Sequence, residues 1–235
     1  MKVSIVVYAL NELEGLRATM PRLKKEWYSQ LLVIDGGSTD GSVEFLRENG
    51  YEVYRQTAPR WAGAYMEAYE RATGDIIVDF SPDGNSIPEK IPELIAKVKE
   101  GFDLVVASRY AGGAKSHDDT AVTRFGNSMF TGLINLLFGP GSTDSLVIFR
   151  AYRRSFLERA RLVGLRLDQC VTGVQVIRCG KVRAKYAEVP ADEPLRLFGV
   201  RKMNILLDGL RVSSLIVKEF LLYDVDRAAR LPISF

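Results

Sequence analysis

The sequence contains very little cysteine and histidine, and this scarcity excludes several kinds of protein. Only two of its 235 residues are cysteines, Cys170 and Cys179, and both fall in one predicted helix. Two such cysteines do not make a disulfide framework, so the composition is typical of a reducing compartment. The single histidine, His117, leaves little room for a histidine-based metal centre or catalytic triad.

Long apolar runs are absent as well. No stretch of about 18 consecutive apolar residues occurs, so we expect no membrane-spanning helix. Residues 1–8 are mostly apolar, but they lack the basic start region and the cleavage site of a signal peptide. We therefore expect a cytoplasmic protein, either in solution or at the inner face of the membrane.

The charge is unevenly divided along the chain, although the net charge is only +3. Residues 1–149 carry 15 basic and 20 acidic side chains, whereas residues 150–235 carry 17 basic and 9 acidic ones. A basic C-terminal third suits phosphate-rich ligands, an anionic membrane surface or nucleic acid, and it also suits a solvated charged face. No recognisable nucleic-acid-binding module is present, so we expect no nucleic-acid partner.

Apolar, β-branched segments alternate with helical patterns along most of the chain. The predicted strands are residues 2–8, 30–34, 51–54, 75–80, 104–107, 146–150 and 184–189. Strands that read as continuous apolar runs are typical of parallel sheets, which are buried on both faces. The alternation therefore predicts an α/β fold with a mostly parallel, doubly wound sheet flanked by helices.

Acidic turns follow two of the predicted strands. Asp83, Gly84 and Asn85 come after strand 75–80, and Asp35 follows strand 30–34. Ligands of open α/β sheets collect beyond the carboxyl ends of the strands, so these side chains are candidate ligands of a metal or a substrate. Asp, Gly and Asn are also ordinary turn residues, so the turn alone is compatible with either interpretation.

A more specific signal comes from six segments taken together, which are VVYALNE, VIDGGSTDG, ATGDIIVDFSPDG, VASRYAGG, TDSLVIFRAYRR and AEVPADEP. The series resembles the family 2 inverting glycosyltransferases with the GT-A fold, especially the branch of dolichyl- and polyprenyl-phosphate sugar synthases. The resemblance implies transfer of a sugar from a GDP- or UDP-linked donor to a polyprenyl phosphate or a glycan. It implies a GT-A domain at 1–202, with a nucleotide-binding half at 1–110 and an acceptor half at 111–202, and an amphipathic helix and tail at 203–235.

The resemblance implies a donor site at the ends of the first strands. The residues that match its nucleotide-sugar positions are Tyr8, Ala9, Asn11, Glu12, Asp35, Ser81, Asp83, Arg201 and Lys202. Asp83 lies in the family's acidic metal motif, where Mg²⁺ or Mn²⁺ would bridge the two phosphates of the donor. The first acidic position of that motif is Ser81 here, which leaves Asp83 and the diphosphate to hold the cation. Arg201 and Lys202 would add positive charge over the same diphosphate.

The resemblance also implies an acceptor site. Arg109, Arg124 and Arg150 match basic positions associated with binding of an acceptor phosphate, and Asp144 matches a position near the reacting centre. If the acceptor is a hydroxyl, inversion needs a general base, for which Asp144 or Asp168 is the candidate. A phosphate acceptor is already an anion and needs no base, so positioning by the arginines would then be the main contribution.

Two long apolar helices are predicted at residues 123–138 and 203–223, and two interpretations of them remain open. As amphipathic helices in a basic region, they would contact the membrane surface peripherally. The alternative is burial in the core or in a homodimer.

Two other functions remain compatible with parts of the sequence. A sugar-phosphate nucleotidyltransferase shares the first strand and the acidic metal site, but it carries a basic glycine-rich loop where this chain has Ala9-Leu10-Asn11-Glu12. The serine at position 81 motivates the other alternative, a catalytically weak protein that binds a nucleotide sugar without transferring it. Measured turnover distinguishes that protein from a transferase.

Overall fold

The computed structural model describes residues 1–163, 170–196 and 204–221. In these ranges the strands are β1 (Val3–Ala9), β2 (Gln30–Asp35), β3 (Glu52–Arg55), β4 (Ile76–Phe80), β5 (Leu104–Ser108), β6 (Arg150–Arg153) and β7 (Tyr186–Pro190). The helices are α1 (Leu13–Thr19), α2 (Ser42–Glu48), α3 (Arg60–Arg71), α4 (Ile91–Lys99), α5 (Ala121–Phe138), α6 (Arg154–Arg159), α7 (Val171–Lys181) and α8 (Ile205–Leu221). Short 3-10 helices lie at Met20–Arg22, Lys25–Trp27 and Pro88–Lys90.

The described strands form one sheet in the order β3-β2-β1-β4-β6-β5-β7. β6 runs antiparallel to its neighbours β4 and β5, and the other pairs are parallel. This arrangement confirms the predicted mostly parallel α/β sheet. It also places the carboxyl ends of the parallel strands and the amino end of β6 along one edge of the sheet.

Both faces of this sheet are buried. All seven residues of β1 are buried, with Val6 and Tyr8 in one apolar cluster and Ile5 and Val7 in the other. Successive side chains of a strand point to opposite faces, so α3 and α7 cover one face and α1 and α4 cover the other. Burial on both sides explains why the strands read as continuous apolar runs.

The strand predicted at residues 146–150 is misplaced. β6 begins at Arg150, and residues 146–149 line a cavity at the sheet edge instead. The Arg150 side chain holds this segment by donating from Nε to the Val147 carbonyl oxygen at 3.0 Å. An apolar segment has the same sequence pattern whether it pairs in a sheet or lines a cavity, so periodicity alone could not distinguish them.

The two long apolar helices are present as α5 and α8. α5 begins at Ala121, earlier than predicted, because Thr120 and Thr123 cap it reciprocally through hydrogen bonds of 3.2 and 2.9 Å. α8 covers Ile205–Leu221, and the ends of its predicted range lie outside the described residues. Within the ranges that the structure describes, no helix has the length and apolar character needed to cross a bilayer.

Candidate functional site

A cavity lies at the edge of the sheet where the strand ends meet. Its walls come from four segments far apart in sequence, which are the turn after β4, the residues after β5, residues 146–149 and residues 191–196. The polar side chains that line it include Asp83, Asn85, Arg109, Glu193 and Arg196. A cavity in which charged groups of both signs converge is the candidate functional site of this fold.

Asp83 forms an ion pair inside this cavity. Its side chain is only 9% exposed, and its Oδ2 lies 2.7 Å from Nη2 of Arg196. Its Oδ1 accepts a hydrogen bond from the backbone N–H of Asn85 at 3.1 Å. Arg196 Nη1 also lies 4.0 Å from Oε1 of Glu12. The structure therefore brings Glu12 and Asp83, two predicted donor-binding residues, to the same arginine.

Asn85 supplies a second oxygen atom beside Asp83. Its Nδ2 donates to Oδ2 of Asp118 at 3.1 Å, whereas its buried Oδ1 accepts no hydrogen bond in the part of the chain that the structure describes. The predicted Ser81 lines the same cavity. A carboxylate and an unpartnered amide oxygen suit Mg²⁺ or Mn²⁺, because such cations complete their shell with phosphate and water.

The described residues do not form a metal site in which the protein supplies all the ligands. Among the described residues there is no group of three or more His, Cys, Asp and Glu side chains that could hold a metal ion. Asp83 and Asn85 would supply two ligands of a cation whose other ligands come from phosphate and water.

The ends of β1 and β2 form a hydrogen-bonded turn at the same sheet edge. Asp35 is buried and accepts a hydrogen bond from the backbone N–H of Gly37 at 2.9 Å. Asn11 adopts a φ of 53°, and its Oδ1 accepts from the backbone N–H of Thr39 at 2.8 Å. Ala9 pairs with Asp35 across the two strands. The structure thus brings Ala9, Asn11 and Asp35 together, with both polar side chains holding the turn.

Tyr8 faces the apolar core, where it meets a carboxylate that the sequence analysis missed. Its hydroxyl donates to Oδ1 of Asp79 at 2.8 Å, and the hydroxyl of Tyr152 lies 2.9 Å from each oxygen of the same carboxylate. Burial raises the pKa of Asp79 to about 7, although the two tyrosine hydrogen bonds and the charge of Arg150 act in the opposite direction. The sequence signal that could have identified Asp79 was a single carboxylate inside the apolar strand IIVDF.

Arg109 lines the cavity and pairs with three carboxylates, of which Asp119 is the most distant at 3.9 Å. Its Nε and Nη2 lie 2.6 and 2.9 Å from the two oxygens of Asp144, which is fully buried. Its Nη1 lies 3.3 Å from Oε2 of Glu193. Burial lowers the pKa of Arg109, but the hydrogen bonds and charge of Asp144 and the charge of Glu193 outweigh burial and raise it. Arg109 is therefore always charged and rigidly oriented.

The remaining predicted acceptor residues lie in different environments. Arg124 is exposed near the start of α5, with Nη2 at 3.4 Å from the Ser116 carbonyl oxygen. Arg150 is fully buried, and its Nη1 lies 2.9 Å from both the Thr172 carbonyl oxygen and Oε1 of Gln175. Because its guanidinium is occupied inside the core, we leave Arg150 out of the acceptor site. The predicted residues Asp168, Arg201 and Lys202 lie outside the described residues.

Glu193 and Arg196 are cavity residues that the sequence analysis did not select. Both follow β7, which is parallel to β5, so its carboxyl end reaches the same sheet edge as the end of β4. The rule that selected Asp83 would also have selected these two residues if the position of β7 in the sheet had been known.

Comparison with protein families gives a match over most of the described fold. The family described as Glycosyl transferase family 2 matches residues 4–161. The matched range includes Asp83, Arg109 and Asp144.

Curated proteins with sequences similar to this chain share one name. The undecaprenyl-phosphate 4-deoxy-4-formamido-L-arabinose transferases of Salmonella choleraesuis (strain SC-B67) and Salmonella paratyphi B are each 28% identical to this chain over 225 residues. The matched region covers 87% of this chain and 63% of each relative. The chain thus spans less than two thirds of the length of these relatives.

Solved structures of similar fold include glucosyl-3-phosphoglycerate synthase from Mycobacterium tuberculosis. Its complex with phosphoglyceric acid has a TM-score of 0.73 at 20% identity, covering 95% of this chain and 81% of that one. Its complex with Mn²⁺, uridine-diphosphate-glucose and phosphoglyceric acid has a TM-score of 0.71 at 22% identity, with the same coverage. This likeness confirms the predicted fold class.

Proposed function

The chain belongs to glycosyl transferase family 2, and from this premise we propose that it transfers a sugar from a nucleotide-diphosphate donor to a polyprenyl phosphate. The proposal rests on one observation, a cavity that is lined both by candidate metal-binding oxygens and by a candidate phosphate-binding arginine. Asp83 and Asn85 line it together with Arg109, which Asp144 orients and which shares the carboxylate of Glu193 with Asn85. We assign the donor half to residues 1–110 and the acceptor half to residues 111–202, as predicted from the sequence.

The proposed donor is a UDP- or GDP-linked sugar. A protein of similar fold contains uridine-diphosphate-glucose and Mn²⁺, which supports this choice. When bound, a divalent cation held by the oxygens of Asp83 and Asn85 would neutralise charge on the leaving diphosphate. The turn organised by Asn11 and Asp35 would receive the nucleoside, because it lies at the same sheet edge. Donor contacts by Tyr8, Ala9, Glu12, Ser81, Arg201 and Lys202 stay predictions.

The proposed acceptor is a polyprenyl phosphate, and the name of the Salmonella relatives supports it. A phosphate is an anion at neutral pH, so it can attack the sugar without a general base. The protein then contributes orientation and electrostatic stabilisation. Arg109, which lines the cavity, and Arg124, which is exposed near the start of α5, are the proposed contacts to this phosphate. The two hydrogen bonds that Arg109 donates to Asp144 fix the direction of its guanidinium.

An exposed apolar surface lies on α5 and α8, which pack against each other. Its exposed side chains are Val122, Phe125, Met129, Leu133 and Leu136 on α5, and Ile205, Leu206, Leu207, Leu210, Val217, Phe220 and Leu221 on α8. Both helices also carry exposed basic residues, Arg124, Arg211 and Lys218. We propose that this α5–α8 surface contacts the anionic cytoplasmic leaflet, in which a polyprenyl phosphate is embedded.

The double substitution Leu136→Glu and Leu206→Glu tests this contact. The two side chains are 80% and 79% exposed, so we expect the fold to be unaffected. Binding to anionic liposomes at low salt should fall at least about fivefold, because each change removes apolar contact area and adds negative charge. Cosedimentation with vesicles containing phosphatidylglycerol measures the effect.

Val163→Glu is the matched control for that experiment, because Val163 is an exposed apolar residue outside the α5–α8 surface. Wild-type protein that ignores anionic liposomes at low salt would contradict the membrane contact. A dimer of the wild type that dissociates in the double variant would instead identify this surface as a homodimer interface.

One observation favours a hydroxyl, such as that of a glycan, as a second candidate acceptor. Arg109 is already paired with Asp144 and Glu193, so its charge is balanced before any phosphate binds. Glu193 lines the cavity and its side chain is 12% exposed, so it could accept the proton of an acceptor hydroxyl. Asp144 is fully buried, and in this alternative it would position Arg109 instead of acting as the base.

Glu193→Gln separates the two acceptor classes. With a phosphate acceptor, we expect transfer to remain within about fivefold of wild type and the pH profile of kcat to be unchanged, because no base is needed. With a hydroxyl acceptor, loss of the base would lower kcat by about 100-fold or more and remove the acidic limb of that profile. The glutamine retains a side-chain oxygen that can accept from Ser116 and Arg109, so the cavity should keep its shape.

The proposed function is tested by a nucleotide-release assay with UDP-, GDP- and dTDP-sugars, with Mg²⁺ or Mn²⁺, and with or without a short polyprenyl phosphate. Release of nucleoside diphosphate that requires the lipid phosphate is the expected result. Donor binding without release under any acceptor would indicate a catalytically weak nucleotide-sugar-binding protein. Release of pyrophosphate from a nucleoside triphosphate and a sugar phosphate would indicate a nucleotidyltransferase.

A further inference from the structure

Arg196 pairs with Asp83, the carboxylate that is proposed to hold the cation. Its Nη2 lies 2.7 Å from Oδ2 of Asp83, and the other oxygen of that carboxylate accepts a hydrogen bond from the Asn85 backbone. Each oxygen of Asp83 therefore lies within hydrogen-bonding distance of a protein donor. A carboxylate oxygen has a second lone pair that can still ligate a divalent cation, but the positive guanidinium beside Oδ2 would repel that cation and offset the charge that attracts it.

The Arg196 side chain also retains an unused donor. Its Nε is buried and has no hydrogen-bond partner in the ranges that the structure describes. The side chain is 23% exposed and lines the same cavity as Ser81 and Asp83. An arginine fork binds phosphate oxygens in pairs, and a diphosphate carries more negative charge than one carboxylate. A diphosphate in this cavity would therefore draw Arg196 away from Asp83.

From this geometry we infer that Arg196 competes with the divalent cation for Asp83, so that the cation binds there more tightly once a nucleoside diphosphate has engaged Arg196. The inference rests on the proposed function, because it assumes that the cavity receives a nucleoside diphosphate. It adds a positive coupling between the nucleotide and the cation, which Arg196 mediates. Because binding energies are linked, the nucleotide and the cation strengthen each other's binding by the same factor.

Arg196→Gln tests the inference by binding measurements that need no turnover. Mn²⁺ affinity is measured by titration calorimetry with the protein alone and with saturating UDP or GDP. In wild type we expect weak Mn²⁺ binding that tightens strongly when the nucleotide is present. In the variant, Mn²⁺ alone should bind about tenfold more tightly, because a charge-assisted hydrogen bond no longer competes for Asp83. Nucleotide binding without metal should weaken, and the coupling factor should shrink.

Arg159→Gln is the matched control, since Arg159 forms an ion pair of 2.9 Å with Asp103, which precedes β5 at the opposite edge of the sheet. It removes the same charge and should leave both Mn²⁺ affinities unchanged.

Two results would overturn the inference. One is Mn²⁺ binding that is unchanged or weaker in Arg196→Gln when no nucleotide is present. The other is a coupling between Mn²⁺ and nucleotide that does not shrink in this variant. Wild-type protein that binds neither UDP nor GDP would overturn the proposed function, and the Mn²⁺ titrations without nucleotide would still decide whether Arg196 competes for Asp83.

Discussion

Asp83→Ala protein is expected to transfer sugar at least about 100-fold more slowly than wild type, which is the scale on which loss of one charge-stabilising group affects a reaction. Asp83 is the only acidic residue in the turn SPDGN. Its removal takes away the carboxylate that would hold a cation against the diphosphate, and the amide of Asn85 cannot replace that negative charge. The measurement is the initial rate of nucleotide release as a function of Mn²⁺ or Mg²⁺ concentration.

The control for this variant is Asp208→Ala, because Asp208 is an aspartate on α8 that pairs with Arg211 outside the cavity. It should transfer sugar at the wild-type rate. Equal thermal stability of Asp83→Ala and wild type would show that the loss is chemical and not a loss of fold. Full metal-dependent transfer by Asp83→Ala would remove Asp83 from the proposed site.

Asp79→Asn protein is expected to be more stable than wild type above pH 7, by up to about 4 kcal/mol. The pKa of Asp79 rises from its ordinary 3.8 to about 7 in the folded protein, chiefly because the carboxyl is buried. Between those two values the folded state binds a proton that the unfolded state has released. The contribution of Asp79 to stability therefore falls as the pH rises from about 4 to about 7, and it is constant at higher pH. Asparagine is neutral throughout, so it avoids this loss.

The difference in unfolding free energy between Asp79→Asn and wild type, measured by urea denaturation from pH 4 to pH 8, isolates this contribution from those of other carboxylates. The difference should be small at pH 4 and should grow until about pH 7. Asparagine can still accept hydrogen bonds from Tyr8 or Tyr152, so the core packing should be kept. A difference that does not change with pH would show that Asp79 titrates in its usual range.

The sequence predicted the class of fold and the positions of most strands more fully than it predicted how the segments are arranged. The strands at β1, β2, β3, β4, β5 and β7 were predicted to within a few residues, because a buried parallel strand is a continuous apolar run between turn signals. β6 was misplaced, because the strand begins at Arg150 and the apolar residues before it line the cavity instead. The capped start of α5 at Thr120 also depended on a side-chain hydrogen bond that the apolar period does not reveal.

The candidate site could be predicted only where each residue stands at the end of its own strand. Asp83 was found by this rule, and Asp144 and Arg109 were found through the family resemblance. Glu193 and Arg196 were missed, because their relation to Asp83 depends on where β7 lies in the sheet. Arg150 was selected because it matches a basic acceptor-site position of the resembled family, but the structure buries its charge among carbonyl oxygens.

The sequence by itself determined the class of fold, the family and the turn that carries Asp83, because hydrophobic periodicity and turn chemistry are local properties of the chain. Only the tertiary structure decided that β6 enters the sheet antiparallel between β4 and β5 and that β7 lies beside β5. Those pairings bring Arg109, Glu193 and Arg196 to one cavity and bury Asp79 beneath Tyr8 and Tyr152. They depend on contacts between segments that are up to 113 residues apart, as Asp83 and Arg196 are, and no local pattern encodes which segments will meet.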